Sequence, residues 1–336
     1  MAKQNPGTSI AVLINANARR GSAKVLRWVS EWLPRARLVM THSAKEARRW
    51  LEREMRPNPP ELLLGGGGDG TMVGLLNELR EMDCTFPILG ALPLGTGNAW
   101  ANVTGGHTVR ACLASLARWG GAQIPFRRFS LLEMDGRLAH FGGTGWDAEV
   151  IHDYHQVVGQ PKLGLGAVPK GVPGYIWATL TKTVPRHLTQ ARARVRIINL
   201  GRTAYRVDDA RTAQPIDASP GAVVYNGPMS VATTATTPEW GLGFKAFPFA
   251  QLVPGHVSVR VYAAGSFEAM LKMRALWKGV YPMPKMHDFL LSEGRMEFDR
   301  PMPCQMGGDL VGTRETFEFR VAPQHVRLLD WAALPA

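Results

Sequence analysis

Between Leu62 and Thr71 the chain reads Leu-Leu-Leu-Gly-Gly-Gly-Gly-Asp-Gly-Thr, and no other stretch restricts the fold so strongly. An apolar run opens into five glycines around one acid, and a helix-like stretch from Met72 to Leu79 follows. This is the outline of a phosphate site. Glycine permits positive φ and close backbone approach, so successive N–H groups can converge on phosphate oxygens while the next helix presents its positive end. Asp69 would repel a phosphate at close range. A carboxylate in such a loop points either to a cation between it and the phosphate or to a proton acceptor beside the reacting oxygen, and both lead to phosphoryl transfer.

The spacing Gly65-x-Gly67-x-x-Gly70 also satisfies the dinucleotide fingerprint, but the acid expected about 20 residues further on is missing, since Asp83 comes too early and no strand precedes it. A second glycine loop favours the phosphate reading. Pro93-Leu94-Gly95-Thr96-Gly97-Asn98 follows the apolar run from Phe86 to Leu92 and precedes another short helical stretch. Either loop alone is equally well explained as an ordinary strand-to-helix turn. Together, two such exits can close on one triphosphate from two sides.

The first third alternates as a doubly wound sheet does. Strands are expected at Ile10–Ile14, Arg37–Thr41 and from Leu62, with helices over Ser22–Leu33, Ala44–Met55 and His107–Trp119, Ser22 being a plausible N-cap. Right-handed crossovers would gather Asn15, Thr41, Asp69 and Thr96 at the carboxyl edge, where open α/β sheets bind ligands. After Gly121 short alternating runs take over, at Arg194–Ile198, Ala222–Tyr225, Val257–Tyr262, Met296–Phe298 and Phe317–Val321, which describe a β-rich second domain. Helices are expected at Tyr175–Val184 and Phe267–Lys278. Their apolar residues Ile176, Trp177, Leu180, Met270, Met273 and Leu276 read first as core and second as an acyl-chain cleft or membrane contact.

With 336 residues, 45% of them hydrophobic, the chain can bury two cores. Its three cysteines, Cys84, Cys112 and Cys304, are odd in number and far apart, against a disulfide framework or a clustered metal site. No apolar run approaches the roughly 18 residues that span a bilayer, so a cytoplasmic, soluble or peripheral protein is expected. A formal charge of +12 implies an anionic partner. The sequence shows no zinc finger, RNA-recognition signature or aromatic-basic stacking motif, which points away from nucleic acid. A P-loop, a nucleophile elbow and a zinc helix are likewise missing. The His152-Asp153 and His287-Asp288 pairs read as surface or local hydrogen-bonding groups.

Gly67-Gly68-Asp69-Gly70-Thr71 followed by Pro93-Leu94-Gly95-Thr96-Gly97-Asn98 resembles the diacylglycerol kinase catalytic-domain family, which includes bacterial lipid kinases, sphingosine kinases and ceramide kinases. Asn15 to Ser22 resembles the family's first nucleotide loop, and Thr41 stands where relatives place a nucleotide-contacting threonine. Gly143 to Val150 is similar to the segment that opens the lipid-binding half, and Tyr225-Asn226 and Met296 to Leu329 also fit. The resemblance implies an α/β nucleotide domain of the NAD-kinase and diacylglycerol-kinase type, a β-rich, sandwich-like second domain and an active site in the cleft between them. The expected division is residues 1–122, 123–320 and a tail, 321–336, that returns to the first domain.

What the resemblance implies for function is an ATP- and Mg²⁺-dependent lipid kinase at an anionic membrane surface, with a homodimer left open. Asn15, Thr41, Gly67, Gly68, Gly70, Thr71, Gly95, Thr96, Gly97 and Asn98 would bind nucleotide, Asp69 or Asp309 would be the base, and Asp147 would position the lipid head group. Departures accompany it. Val73 and Gly74 replace an Asn and a Glu, Ala99 replaces an acid, and Pro254 and Gly307 replace two aspartates that help hold a structural magnesium in relatives. Diacylglycerol is the default acceptor, with a sphingoid base or ceramide next. An NAD kinase-like enzyme and a non-catalytic nucleotide or lipid sensor are the competing readings.

Overall fold

The computed structural model describes residues 8–19, 21, 23–55, 57–120, 123–158, 161–162, 166–167 and 171–335. Ser22, the expected cap of the first helix, lies outside them. Two compact units emerge: the first is Met1–Leu131, Glu239–Phe244 and Pro323–Ala336, and the second is Leu132–Pro238 and Lys245–Ala322.

The first unit is an α/β layer structure. Its elements are β1 (Ile10–Asn15), α1 (Ala23–Trp32), β2 (Arg37–Thr41), α2 (Ala44–Met55), β3 (Leu62–Gly67), α3 (Asp69–Glu81), β4 (Ile88–Pro93), α4 (Ala99–Asn102) and α5 (Val109–Arg118). The sheet runs β2-β1-β3-β4, every pair parallel, and Leu328 of the chain's last strand pairs in parallel with Leu89 beyond β4. All six residues of β3 and all six of β4 are buried, as expected of parallel strands covered on both faces. Val12, Ile14, Leu62, Leu64 and Leu92 share a core with Val25 and Val29 of α1 and Leu113 and Leu116 of α5.

The glycine run is only partly a loop. Gly65, Gly66 and Gly67 continue β3, and α3 starts at Asp69, three residues before the expected Met72. Steric space explains the first difference: a Cβ on Gly65 would lie 2.6 Å from Met72 Sδ and 2.7 Å from Leu75 Cδ1. Glycine therefore lets α3 lie close against its own strand. Hydrogen bonding explains the second, because Thr71 N and Met72 N both donate to Gly68 O, at 3.0 and 3.3 Å, closing the first turn early.

The second unit is strand-rich. Antiparallel neighbours follow in the order Ala213–Ile216, Ala204–Val207, Met286–Leu291, Val257–Tyr262, Val231–Ala235, Phe141–Gly145, Glu293–Met306 and Asp309–Leu329. Arg194–Asn199 pairs with Val223–Pro228 and with Glu293–Met306. The two short runs read at Met296 and Phe317 are pieces of the two longest strands. Gly307 and Gly308, with φ of 59° and 91°, make the two-residue turn that joins them. Phe141–Gly145 escapes a propensity reading because three of its five residues are glycine. A Cβ on Gly143 would stand 2.4 Å from Ala232 O on the neighbouring strand.

One expected helix is broken and one extended. Phe267–Lys278 becomes Ser266–Leu271 and Met273–Lys278, whereas Tyr175–Val184 lies inside an uninterrupted helical run of Val172–Ala178, a π-turn at Thr179–Thr183 and Val184–Thr189. Their apolar residues divide. Leu276 packs on Tyr262, Ala264 and Met283, whereas Ile176, Trp177 and Leu180 are 55, 39 and 58% exposed rather than core. The opposite side of that helix is the buried one, with Tyr175 stacked on Tyr154 and Ala178 packed on Val157. Among the described residues, no helix is long and apolar enough to cross a membrane.

Candidate active site

In the first unit the ends of β1, β2, β3 and β4 bring the expected groups together. Asn15 and Thr41 are register partners, and Asn15 Nδ2 donates to Thr71 Oγ1 at 3.1 Å. The two glycine loops touch main chain to main chain: a Cβ on Gly95 would fall 2.3 Å from Gly68 Cα. Leu94 N and Gly95 N both donate to Gly67 O at 3.0 Å. Asn98, in the left-handed region at φ 55°, accepts from Gly95 N at 2.9 Å and donates back to Gly95 O at 3.0 Å, which closes the second loop on itself.

Asp69 occupies the contact between these loops. Its Oδ1 accepts from Trp100 N at 3.1 Å, and the N–H groups of Ala99 and Asn98 also bond the carboxylate. Burial nevertheless pushes the carboxyl up to about 6, because loss of water outweighs these donors. The start of α4 is therefore turned on Asp69 instead of offering its amides to an incoming phosphate. Among the described residues, the N–H groups of Gly70, Thr96 and Gly97 have no protein acceptor, and Thr96 is exposed. Those amides are the ones placed to receive phosphate oxygens.

A brace from distant sequence completes this site. Within Glu239–Phe244, Leu242 N donates to Gly97 O at 2.8 Å, and Gly241, at φ 122°, lies against Gly97 so closely that a Cβ on it would come within 2.8 Å of Gly97 Cα. A Cβ on Gly97 would in turn meet Asp69 Oδ2 at 2.7 Å. The sequence reading did not find Gly241 or Leu242. The signal present was the Gly-Leu-Gly run at 241–243, which a single chain does not distinguish from any turn.

In the second unit, Asp147 begins the helix Trp146–Val157 directly after the strand Phe141–Gly145. Its Oδ2 accepts from Gln305 Nε2 at 2.9 Å, while its Oδ1 is buried without a partner among the described residues. Burial pushes this carboxyl up to about 6 also, and the charge of Glu149 adds to the rise. Gln305 was missed by sequence reading. It ties Asp147 to the Gly307-Gly308 turn, since its Oε1 accepts from Gly308 N at 3.0 Å, and Asp309 follows immediately as the first residue of the last strand. Asp309 is exposed, yet partial burial raises its carboxyl above the ordinary range, with His155 and Arg137 pulling it down. Trp146 Nε1 and Tyr262 Oη are further buried polar atoms without a partner among the described residues, near the apolar cluster of Ala264, Ala269 and Met283.

The acids of the two His-Asp pairs are not at the surface. Asp153 is fully buried and takes Arg186 Nη2 at 2.6 Å and Thr183 Oγ1 at 2.7 Å; Asp288 is buried against Arg260. Burying a carboxylate requires such a partner, which a dipeptide pattern does not reveal.

Residues 9–123 match the family model of the diacylglycerol kinase catalytic domain. No curated protein matches the sequence significantly. Among solved structures, the chain is similar to a diacylglycerol kinase from Bacillus anthracis str. Sterne, at 12% identity, 96% coverage of each chain and a TM-score of 0.63. Two candidate diacylglycerol kinases from the same strain match at 14 and 15% identity, each over 96% of this chain and 96 and 97% of theirs, with TM-scores of 0.64 and 0.63. At such identities the structural likeness speaks for the fold, over nearly the whole chain, and the family model speaks for the glycine-loop domain. Residues 9–123, with their paired loops around Asp69, are thus the part of the chain that is similar to a diacylglycerol kinase catalytic domain.

Proposed function

We propose that this protein is an ATP-dependent lipid kinase that transfers the γ-phosphoryl group to a hydroxyl of a membrane lipid, with diacylglycerol as the first candidate acceptor. The observation that carries this reading is Asp69, a carboxylate pushed up to about 6 and fixed by main-chain donors where two glycine loops meet. A base working near neutral pH needs such a value. In this mechanism the N–H groups of Gly70, Thr96 and Gly97 hold phosphate oxygens, with Asn15, Thr41, Gly67, Gly68, Thr71, Gly95 and Asn98 shaping the pocket around them. Asp69 then takes the proton from the acceptor hydroxyl as its oxygen attacks the γ-phosphorus and ADP leaves.

Among the described residues no group of three or more His, Cys, Asp or Glu gathers into a metal site. A magnesium ion carried by the nucleotide fits better, since phosphate oxygens and water can supply most of its ligands, which leaves Asp69 for the proton transfer. Bound there, the ion would neutralise charge on the phosphates. In the second unit Asp147 would orient the lipid head group through its unpartnered Oδ1, and Asp309 is the second candidate base. Radiolabelled ATP incubated with total lipid extract, with NAD in a parallel tube, tests the reading. A labelled lipid identified as phosphatidic acid supports it; label on NAD alone, or nucleotide binding without turnover on any lipid, sinks it.

A further inference from the structure

We propose that the outward side of two adjoining helical segments, 171–190 and 265–286, is the surface by which the protein docks on an anionic bilayer. Both segments lie in the second unit, and the helix Val184–Thr189 packs against Ser266–Leu271. They carry large apolar side chains in water: Ile176, Trp177, Leu180 and Leu188 on the first, Leu271 and Trp277 on the second, with Leu188 and Leu271 69 and 72% exposed. Singly, such residues are ordinary; grouped on adjacent helices they mark an interaction surface.

The exposure is built in. On its inner side the first segment is fastened by Thr183 and Arg186 to Asp153, and by Arg186 and His187 to Glu149, with donor–acceptor distances of 2.6 to 3.2 Å. The π-turn at Thr179–Thr183 adds the register shift that leaves Leu180 outward while Thr183 reaches Asp153. Turning Trp177 or Leu180 inward would require breaking buried ion pairs. These apolar groups therefore stay in water unless something covers them.

Charge selects the occupant. Beyond Arg186, which faces inward on Asp153 and Glu149, the two segments hold five Lys or Arg residues, including the exposed Arg274 and Lys278, against one acid, Glu268. A second copy docked by the same patch would bring like charges together, as a twofold contact pairs a surface with itself. An anionic bilayer accepts both features: cations attract its head groups, and Trp and Leu enter the head-group layer. The inference is consistent with a lipid acceptor and deepens that reading, but its test does not need turnover.

Vesicles of phosphatidylcholine with 30% phosphatidylglycerol, and of phosphatidylcholine alone, would be sedimented with the full chain at rising salt. The expected result is salt-sensitive binding to the anionic vesicles only. Arg274→Gln with Lys278→Gln should weaken it roughly 25-fold, as about 1 kcal/mol per cation near the surface is about fivefold each. Trp177→Ser with Leu180→Ser should weaken it tenfold or more, while ATP affinity stays unchanged in both variants. Unaltered vesicle binding in both variants would overturn the proposal. So would variants that convert a dimer into a monomer with vesicle binding intact, which would assign the patch to a second copy. If the wild type docks but phosphorylates no lipid, the kinase reading fails and the docking surface stands.

Discussion

Asp69 in the first unit and Asp147 in the second are both raised to about 6 by burial, but they are held by different kinds of partner. Asp69 is met by N–H groups of the peptide chain at Asn98, Ala99 and Trp100. Its position follows from the path of the backbone, and no substitution other than proline deletes those donors. Asp147 is held chiefly by one side-chain amide, Gln305, with the N–H of Ala148 as a lesser donor, Glu149 two residues away and one oxygen without a partner among the described residues. A single exchange at 305 or 149 changes its surroundings. The contrast separates an acid fixed mainly by the backbone from one whose surroundings a side-chain exchange can adjust.

The sharpest way to break this contrast is to neutralise the fixed acid. Asp69→Asn should lower turnover by roughly 100-fold or more, the usual scale for a general base, with ATP binding retained. In the parent, kcat/KM should rise with pH through about 6 as the carboxylate ionises. An Asn variant with near-parental turnover would remove Asp69 from the chemistry and leave Asp309 to be tested in the same way.

At Asp147 the expected effect is on stability. A folded pKa near 6, above the unfolded value near 3.9, means that the favourable contribution of the protonated form is complete below about pH 4 and is lost as pH rises through 6. Asp147→Asn should therefore be more stable than the parent at pH 8, by about 3 kcal/mol, and the gap should close toward pH 4. Denaturant melts at the two pH values check this; equal stability at pH 8 would show that Asp147 carries no burial cost.

A smaller effect should follow from loosening the brace. Gly241→Ala places a methyl against Gly97 and disfavours φ of 122°, which should pull the second loop and its N–H donors from Asp69. We expect about a tenfold loss in kcat with little change in KM for the acceptor, and an acid limb moved to higher pH because the carboxylate has lost donors. A loss confined to stability, with an unmoved pH profile, would make Gly241 a folding residue only. The smallest effect belongs to Thr71→Val, which removes the hydroxyl that accepts from Asn15. ATP affinity should fall severalfold, matching about 1 kcal/mol for one hydrogen bond, and calorimetry would register it.

Much of the first unit was legible because parallel strands covered on both faces appear as uninterrupted apolar runs, and β2 and α2 fall on the residues that periodicity indicates. The glycines of β3 were not read as strand, because their reason is the closeness of Met72 and Leu75 in space. Asp69 stood out as the one acid in a glycine run. Its donors at 98–100 did not, since main-chain geometry leaves no residue-type signature. Gln305 was hidden for a different reason: it meets Asp147 only because two antiparallel strands set Gln305 opposite Gly143, and a contact 158 residues apart is invisible to local pattern.

The return of Glu239–Phe244 and Pro323–Ala336 to the first unit makes that unit the last to be finished during synthesis. When Leu131 has been made, β4 still lacks Leu328 at its side, Gly90 has neither Leu329 nor Trp331 against it, and Gly97 has no Gly241 to rest on. About 110 more residues must be added before Gly241 arrives and about 200 before Leu328 to Trp331 do, the latter roughly 10–40 s at about 5–20 residues per second. For that interval the nascent glycine-loop domain has an open sheet edge and an unbraced Asp69 loop, a condition that favours chaperone capture and delays nucleotide competence until Leu328 to Trp331 have been made.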